Sequence, residues 1–553
     1  MSDDVRSIVL KYALRNAVKF HGKATVGPVM GKVMGEYEGC RKDPQDTKSL
    51  IEEVIGEVNE MSPQEQNHAL RELMPEYFEE KEEEEEHLPE LDADSVVMRL
   101  APYPSGPLHI GNARMVVLND EYVKRHDGKL ILFYDDTIGS ETKKPLEVAY
   151  DLIKEGLDWL GVEWHETHYK SERMDLYYQY CEKLIEMGEA YVCQCSAERL
   201  RSYRKRGVEC EHRSRTIEDN KDMWDAMLAG TLDEGEAVVR IKTDMEYPDP
   251  AFRDRVLFRI SKQPHPRVGD KYHIWPLLEF SWAVDDHLLG MTHVLRGKDL
   301  MMEDKMEQYI WDLFGWDGPE FLHYGMLRLE EFNLSKSDFQ RKLKTGEIHG
   351  WDDPRTWTLQ SLRRRGIQPE AVREFIIGFG MSLTDIAVPA SKLYAKNREL
   401  VDDRANRYHF IAEPVKVKLN GEIDINEAEL PFHPDHPERG NRVLKTSDTV
   451  FLARKDWEKF QGKEVRFKNF CNIKLEGKKG EITGYENKDI RKIHWLCDGI
   501  LARVEMPDGS YQEGLVEPTI ESEDEGKVVQ FERYGFVRLL DTKESIQAVF
   551  GHR

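Results

Sequence analysis

Long apolar runs are missing from this chain. Nothing in it approaches the ~18 consecutive apolar residues that a membrane-crossing helix needs, so no membrane partner is expected. The first residues, MSDDVRSIVLKYALRN, lack the long apolar centre and small-residue cleavage site of a secretory signal. Cysteine is sparse: seven in 553 residues, an odd number scattered along the chain. That pattern does not suit a disulfide framework and points to a reducing, cytoplasmic setting. Positive charge is also in short supply, with 79 Lys and Arg against 104 Asp and Glu and a net charge of −25. Taken whole, that balance speaks against a nucleic-acid partner, and DNA is not expected as one.

The distribution of charge removes most of the objection where RNA is concerned. Residues 1–95 hold 23 acidic and 11 basic side chains, nearly half of the excess. Residues 196–216 carry seven basic and three acidic side chains, and residues 334–373 carry nine and five. Phosphate binding depends on such local strips, not on the total. An acidic body with basic strips suits a structured RNA and rejects nonspecific polyanions.

At this length about three to four domains are expected. Residues 1–78 read as helical, with apolar stripes at Ile8, Leu10, Tyr12, Ala13 and Val18 and at Leu50, Ile51, Val54, Ile55 and Val58. Ser62-Pro63-Gln64-Glu65 has the pattern of a helix start with a capping box. Glu79–Glu86, broken only by Lys81, repels itself and reads as a solvated linker.

Most of the chemistry converges on residues 96–124, VVMRLAPYPSGPLHIGNARMVVLNDEYVK. Val96-Val97-Met98 predicts a buried strand, the Pro and Gly residues from Pro102 to Pro107 a tight turn, and Met115, Val116, Val117, Tyr122 and Val123 one side of a helix. A strand that turns into a helix leaves free backbone N–H groups at the helix start, which favour an anion such as a phosphate. His109 stands there. Lys129–Thr137 predicts a second buried strand with Asp135 and Asp136 at its C-terminal end, where ligands bind in open α/β sheets. Helical spacing follows over 147–160 and 173–188.

Cys193-x-Cys195 and Cys210-x-His212 offer four ligands in two close pairs, as a closed tetrahedral zinc site requires; buried thiols beside a surface histidine are the alternative. Asp285-Asp286-His287 invites a metal reading too, but architecture is preferred. From about residue 413 short β-rich runs recur, separated by turns that include Asn420-Gly421 and Asp508-Gly509, both favoured in hairpins.

The segment Pro102-x-Pro104-Ser105-Gly106-x-Leu108-His109-Ile110-Gly111 resembles the HIGH signature of class I aminoacyl-tRNA synthetases, and Leu334-Ser335-Lys336-Ser337 matches the end of their KMSKS loop. The surrounding words, among them Lys271–Leu300, Gly350–Arg355, Ile493–Leu496 and Gln530–Phe536, resemble glutamyl-tRNA synthetases of the archaeal type, a branch shared with glutaminyl enzymes. The resemblance runs through most of the chain.

It implies an α/β plus all-β protein. An N-terminal helical appendage (1–78) and the acidic linker (79–95) would precede a Rossmann-type catalytic domain in two halves (96–192 and 271–330). Between the halves lies an inserted acceptor-end domain (193–270). The KMSKS loop and helical stem-contact region (331–412) and anticodon-binding β-barrels (413–553) would follow. The implied activity is ATP-dependent attachment of glutamate to tRNA(Glu), with tRNA(Gln) left open. Glutaminyl-tRNA synthetase and a non-charging tRNA-binding relative are the alternatives. ATP would arrive with Mg2+, held by His109, Gly111, Asn112, Ser335 and Lys336, with His109 and Lys336 catalytic. Arg99, Asp135 and Arg296 would meet the amino acid. The resemblance supports structural zinc on Cys193, Cys195, Cys210 and His212. Four departures stand out: Asn112 for the second His of HIGH, Asn333 for the first Lys of KMSKS, Phe133 and Ile138 beside the Asp-Asp-Thr signature, and Leu278 for a pocket tyrosine.

Overall fold

A computed structural model of the chain describes residues 3–19, 22–36, 44–74, 88–138, 144–330, 336–543 and 545–553. The chain divides into two units, Met1–His87 and Leu88–Arg553. The first holds helices Asp3–Lys19, Val26–Glu36, Pro44–Glu60 and Pro63–Leu73. Its core runs along Val5, Val9, Ala13 and Ala17, an i, i+4 stripe facing Ile51, Val54 and Val58. The expected stripe members Ile8, Leu10, Tyr12 and Val18 flank that core, only partly buried. The capping box forms: Ser62 Oγ accepts the Glu65 N–H at 3.3 Å, and the Glu65 carboxylate accepts the Ser62 N–H at 2.8 Å. The acidic run 79–86 lies outside the described residues.

The second unit is built on parallel strands. Val97–Leu100, Lys129–Tyr134 and Glu166–Tyr169 pair in that order, and His293–Gly297 pairs with Glu320–Tyr324. Both faces of the central strand are covered, so Leu130–Tyr134 is a continuous buried apolar run, not an alternating one. Thr292 joins the two sets. Its N–H donates to the Val97 carbonyl at 3.0 Å, and its Oγ1 accepts the Val97 N–H at 2.8 Å. Chain order reverses at this seam, which places a crevice at the carboxyl ends of the strands. Helices Ile110–Arg125 and Glu147–Trp159 connect the first set, and Met174–Glu186 leads on from its last strand.

A four-stranded antiparallel sheet, Ala190–Cys193, Val238–Ile241, Val256–Ile260 and Ile274–Pro276, stands between the two sets in sequence, with helices Ala197–Arg206 and Ile217–Leu228. Its Trp224, Phe258 and Trp275 share one core with Phe280 and Trp311 from the helices that follow. Further on, the three consecutive arginines separate in role. Arg363 faces solvent. Arg364 reaches Glu505 at 2.8 Å, and Arg365 is buried, donating to Tyr394 Oη and the Gly551 carbonyl. Glu374, one helix further on, lies near Lys396 instead.

The last part is mostly β: a seven-stranded and a six-stranded curled sheet with a small two-stranded ribbon and a short α-helix, Arg454–Lys459. Pro414–Asn420 alternates exposed and buried residues as the sequence predicts. Asp508-Gly509 turns a true hairpin between Ile500–Glu505 and Tyr511–Val516, with Gly509 at φ 81°. Asn420-Gly421 does not, because Pro414–Asn420 pairs instead with Thr449–Ala453 and Lys479–Gly484. Trp495, Phe531 and Phe536 are buried within these sheets and form core.

The two sheets meet at a knot of buried charge. His409 and His494 stack with centroids 4.2 Å apart, and Glu532 lies 3.4 and 3.1 Å from their Nε2 atoms. Lys468 Nζ donates to both Glu532 oxygens, at 2.6 and 2.8 Å, and Arg442 reaches the same carboxylate at 3.9 Å. The two imidazoles and the carboxylate have metal-ligand spacing. The cations already on Glu532 disfavour a metal ion there.

Burial drives the His494 imidazole down to about 3, with His409 adding to the effect and Glu532 opposing it. Burial raises Glu532, but hydrogen bonds from both imidazoles and the Lys468 charge outweigh it and leave the carboxyl well below its usual range. In the unfolded chain both groups bind protons at higher pH, so stability is lost as pH falls from about 6.5 toward 3. The thermal midpoint is therefore expected to drop steadily between pH 6.5 and 4. His494→Gln should flatten that slope; equal slopes for the two proteins would remove His494 from the account.

Candidate active site and metal centre

His109 is the N-cap of helix Ile110–Arg125, with extended backbone dihedrals. Its Nδ1 accepts the Gly111 N–H at 3.1 Å, which leaves the ring proton on Nε2 in the neutral form. Asn112 Oδ1 accepts the His109 N–H at 3.3 Å. The pair is a capping box built from His and Asn, so Asn112 has a local job that needs an acceptor and no charge. Gly111 is closely packed: a Cβ there would lie 3.0 Å from the His109 ring and 3.4 Å from the Leu327 carbonyl, so a larger residue would press on the ring. The segment is clamped from outside. Ile110 N–H donates to the Trp357 carbonyl and Leu359 N–H to the Leu108 carbonyl.

This helix start opens into a cavity of about 640 Å³ at the carboxyl ends of the strands, within the range of small-molecule sites. Six of the site residues expected from sequence line it: Arg99, His109, Gly111, Asn112, Asp135 and Arg296. Arg99 is buried and donates side-on to Asp286, Nη2 to Oδ2 at 2.8 Å, with its guanidinium stacked 3.6 Å over Trp282. Asp286 uses Nε and one Nη2 hydrogen, so Nη1 and the second Nη2 hydrogen are left as a pair that suits a second carboxylate. Arg296 is more fully engaged: Nε and Nη2 donate to Asp304 and Nη1 to Glu307. Burial raises the Glu307 carboxyl to about 7, with Arg296 pulling the other way.

The neighbouring carboxylates Asp135 and Asp136 diverge. Asp135 borders the cavity. Asp136 turns inward and accepts from Ser171 N, Ser171 Oγ and Tyr150 Oη at 2.8–2.9 Å. Asp285 and Asp286 are architectural: Asp285 accepts from Arg173 and Tyr177, Asp286 from Arg99, and His287 stacks on Trp316. Phe133 packs its face against the edge-on Trp282, Ile138 enters the core of the inserted sheet, and Leu278 lines the cavity. Two residues that sequence reading passed over belong here, Trp282 and the fully buried Lys170, which lies 3.0 Å from Asp135. An isolated Lys or Trp carries no spacing signal that marks it.

Ser335 and Asn333 fall within residues 331–335, outside the described residues, as does the Lys336 side chain. The Lys336 backbone heads helix Lys336–Thr345. Gln340 on that helix donates to the Ser105 carbonyl, in the turn just before His109. Strand Leu327–Leu329, which precedes residues 331–335 in the chain, lines the cavity.

The four zinc candidates also come together, away from the cavity. Their ligand atoms all lie within 4.8 Å of one another. Cys193 Sγ is 3.7 Å from Cys210 Sγ and from His212 Nδ1, and Cys195 Sγ is 3.5 Å from the same nitrogen. A tetrahedral zinc with Zn–S near 2.3 Å sets its sulfurs about 3.8 Å apart, so the donor set fits the metal. Arg240 Nη1 and Tyr191 Oη stand 3.6 and 3.7 Å from Cys210 Sγ, as partners of a thiolate would.

A phosphate-ready helix start at the switch point of a split parallel sheet, an inserted sheet and a β-rich C-terminal part together define a class I synthetase. Residues 95–402 match the family model described as tRNA synthetases class I (E and Q), catalytic domain. Residues 405–490 and 492–540 match its two anti-codon binding domains. The chain belongs to this family, the class I tRNA synthetases of the E and Q branch. It is 42% identical to the glutamate–tRNA ligase of Thermococcus kodakarensis, with 100% of each chain covered. It is 44% identical to that of Methanocaldococcus jannaschii over 97% of this chain and 98% of the other. The Archaeoglobus fulgidus ligase is 41% identical over 99% and 100%.

The His109–Asn112 box generates a stability prediction. Asn112→Ala is expected to cost about 1 kcal/mol by loss of a helix cap, and Asn112→Asp, which keeps the acceptor, to cost less. Denaturant midpoints of the three proteins check the order; an alanine variant as stable as the parent would dismiss the cap.

Proposed function

We propose that the chain is a glutamate–tRNA ligase, joining glutamate to tRNA(Glu) at the expense of ATP and releasing AMP and diphosphate. The observation that carries this reading is the single cavity uniting the helix start at His109 with Arg99 and Asp135 at the strand ends. Full-length relatives named for that activity support it.

In this reading the α-carboxylate of glutamate attacks the α-phosphorus of ATP and diphosphate leaves. The terminal ribose hydroxyl of tRNA then attacks the mixed anhydride, and AMP leaves. His109 Nε2–H and the positive end of the helix dipole at Gly111 hold phosphate oxygens, Asn112 keeps that helix start in shape, and Mg2+ accompanies the triphosphate. Ser335 and Lys336 approach the β and γ phosphates, where the ammonium offsets charge growing at the pentavalent phosphorus. Asp135 takes the substrate ammonium. The open edge of Arg99 takes the side-chain carboxylate, because two parallel donors match two acceptors. Arg296, neutralised by Asp304 and Glu307, borders the amino acid and holds the wall of its pocket. Most of the rate enhancement comes from positioning and electrostatics.

The inserted sheet would take the acceptor end of tRNA, with zinc on Cys193, Cys195, Cys210 and His212 as a structural staple. Four protein ligands leave it no open position for chemistry. The curled β sheets would read the anticodon, and exposed Arg363 suits a backbone phosphate. Outside the Cys/His cluster, Cys181, Cys471 and Cys497 are free thiols, in keeping with a cytoplasmic enzyme.

Charging of total tRNA with labelled glutamate and glutamine, side by side, tests the reading. Glutamate is expected to be incorporated, and Lys336→Ala to slow the reaction by about 10²-fold or more. Preference for glutamine, or indifference to the lysine, would refute it. The metal reading has its own check: about one zinc per chain by elemental analysis, lost in Cys195→Ser together with protease resistance around residues 193–215. Zinc-free protein with an intact inserted sheet would exclude the staple.

A further inference from the structure

Lys170 is the most unusual charge in the molecule. It has no solvent exposure, yet lysine is rarely buried outright. Its Nζ lies 3.0 Å from Asp135 Oδ1, donates to Ser281 Oγ at 2.7 Å, and sits 3.7 Å over the Trp282 ring. Burial pushes its pKa down and Asp135 pulls it back up. Asp135 borders the cavity, but its Oδ1 is buried beyond the reach of water, so the Lys170 ammonium is the charge that faces it. An ammonium fixed behind that carboxylate orients it.

The same indole carries a second cation. Arg99 Cζ lies 3.6 Å from the Trp282 ring, and Trp282 is only 2% exposed, braced by Phe133 at 5.0 Å. Two like charges are therefore anchored on one rigid side chain, each attracted by its π system. Through that indole an acid of the cavity wall is tied to a guanidinium of the same wall: Asp135, Lys170, Trp282, Arg99.

We propose that Trp282 is a specificity-determining residue and Lys170 a positioning residue, which together form a gauge setting the distance between Asp135 and Arg99. The gauge rests on the glutamate reading given above. It selects an α-amino dicarboxylate by the number of carbons between its ammonium and its distal acid. Glutamate reaches both Asp135 and Arg99; aspartate, one methylene shorter, reaches only one. A single methylene is worth ~10- to 200-fold in selectivity.

The test measures tRNA-dependent ATP–diphosphate exchange, with KM for glutamate and ATP and inhibition by aspartate. Trp282→Phe, which thins the gauge, is expected to narrow the preference for glutamate over aspartate by at least ~10-fold. Lys170→Met should raise the glutamate KM ~10-fold or more while the ATP KM stays within about twofold. Lys170→Gln, which keeps a donor toward Asp135, should recover most of that loss, as a merely structural lysine would not require. Should Lys170→Met fail to fold, Lys170→Gln and Trp282→Phe decide alone. An unchanged glutamate-to-aspartate ratio, or KM values for glutamate and ATP rising together, overturns the gauge. A wild-type enzyme that activates a different amino acid overturns the ligase reading beneath it instead.

Discussion

The unsatisfied backbone at the start of helix Ile110–Arg125 is the constraint on which the rest depends. A helix must leave its first N–H groups without intrahelical partners. Here part of that demand is met inside the first turn, by the imidazole of His109 and the amide of Asn112. The turn is then held from outside by the backbone of Trp357 and Leu359. The end of the helix consequently stays rigid while pointing into a cavity at the sheet's switch point. A site for a polyanion needs such preorganised donors, since donors that must reorganise stabilise charge poorly.

Around that start the molecule buries an uncommon amount of charge. Arg99, Arg296, Lys170 and Arg173 each meet a carboxylate of the fold before any substrate arrives. Buried pairs of this kind add little net stability, because desolvation consumes the Coulomb attraction. Their value is geometric. A guanidinium pinned by Asp286 and flattened on Trp282 has one orientation left, and a carboxylate backed by Lys170 has few. The β-rich end repeats the strategy at Glu532, where two imidazoles, Lys468 and Arg442 weld one curled sheet to the other.

Much of this was legible in the chain itself. Apolar runs and alternation marked the strands at 129–134 and 414–420, and the Ser62–Glu65 box announced its own helix. The HIGN segment and the Cys/His quartet were visible as spacing. Errors arose where a local rule met a distant competitor. Asn420-Gly421 has the chemistry of a hairpin turn, yet two strands remote in sequence claimed its strand first. The arginines at 363–365 looked alike, and only packing against Glu505, Tyr394 and Gly551 told them apart.

Sequence alone determined which segments are strands and helices, their order, and which short motifs hold chemistry, because those properties repeat every two or 3.6 residues and need only near neighbours. Tertiary structure decided which charges are paired and which face the cavity. Arg99 finds Asp286 across 187 positions and Lys170 finds Ser281 across 111. No local pattern encodes such meetings, since the cost of burying a charge is set by whatever the completed fold brings beside it.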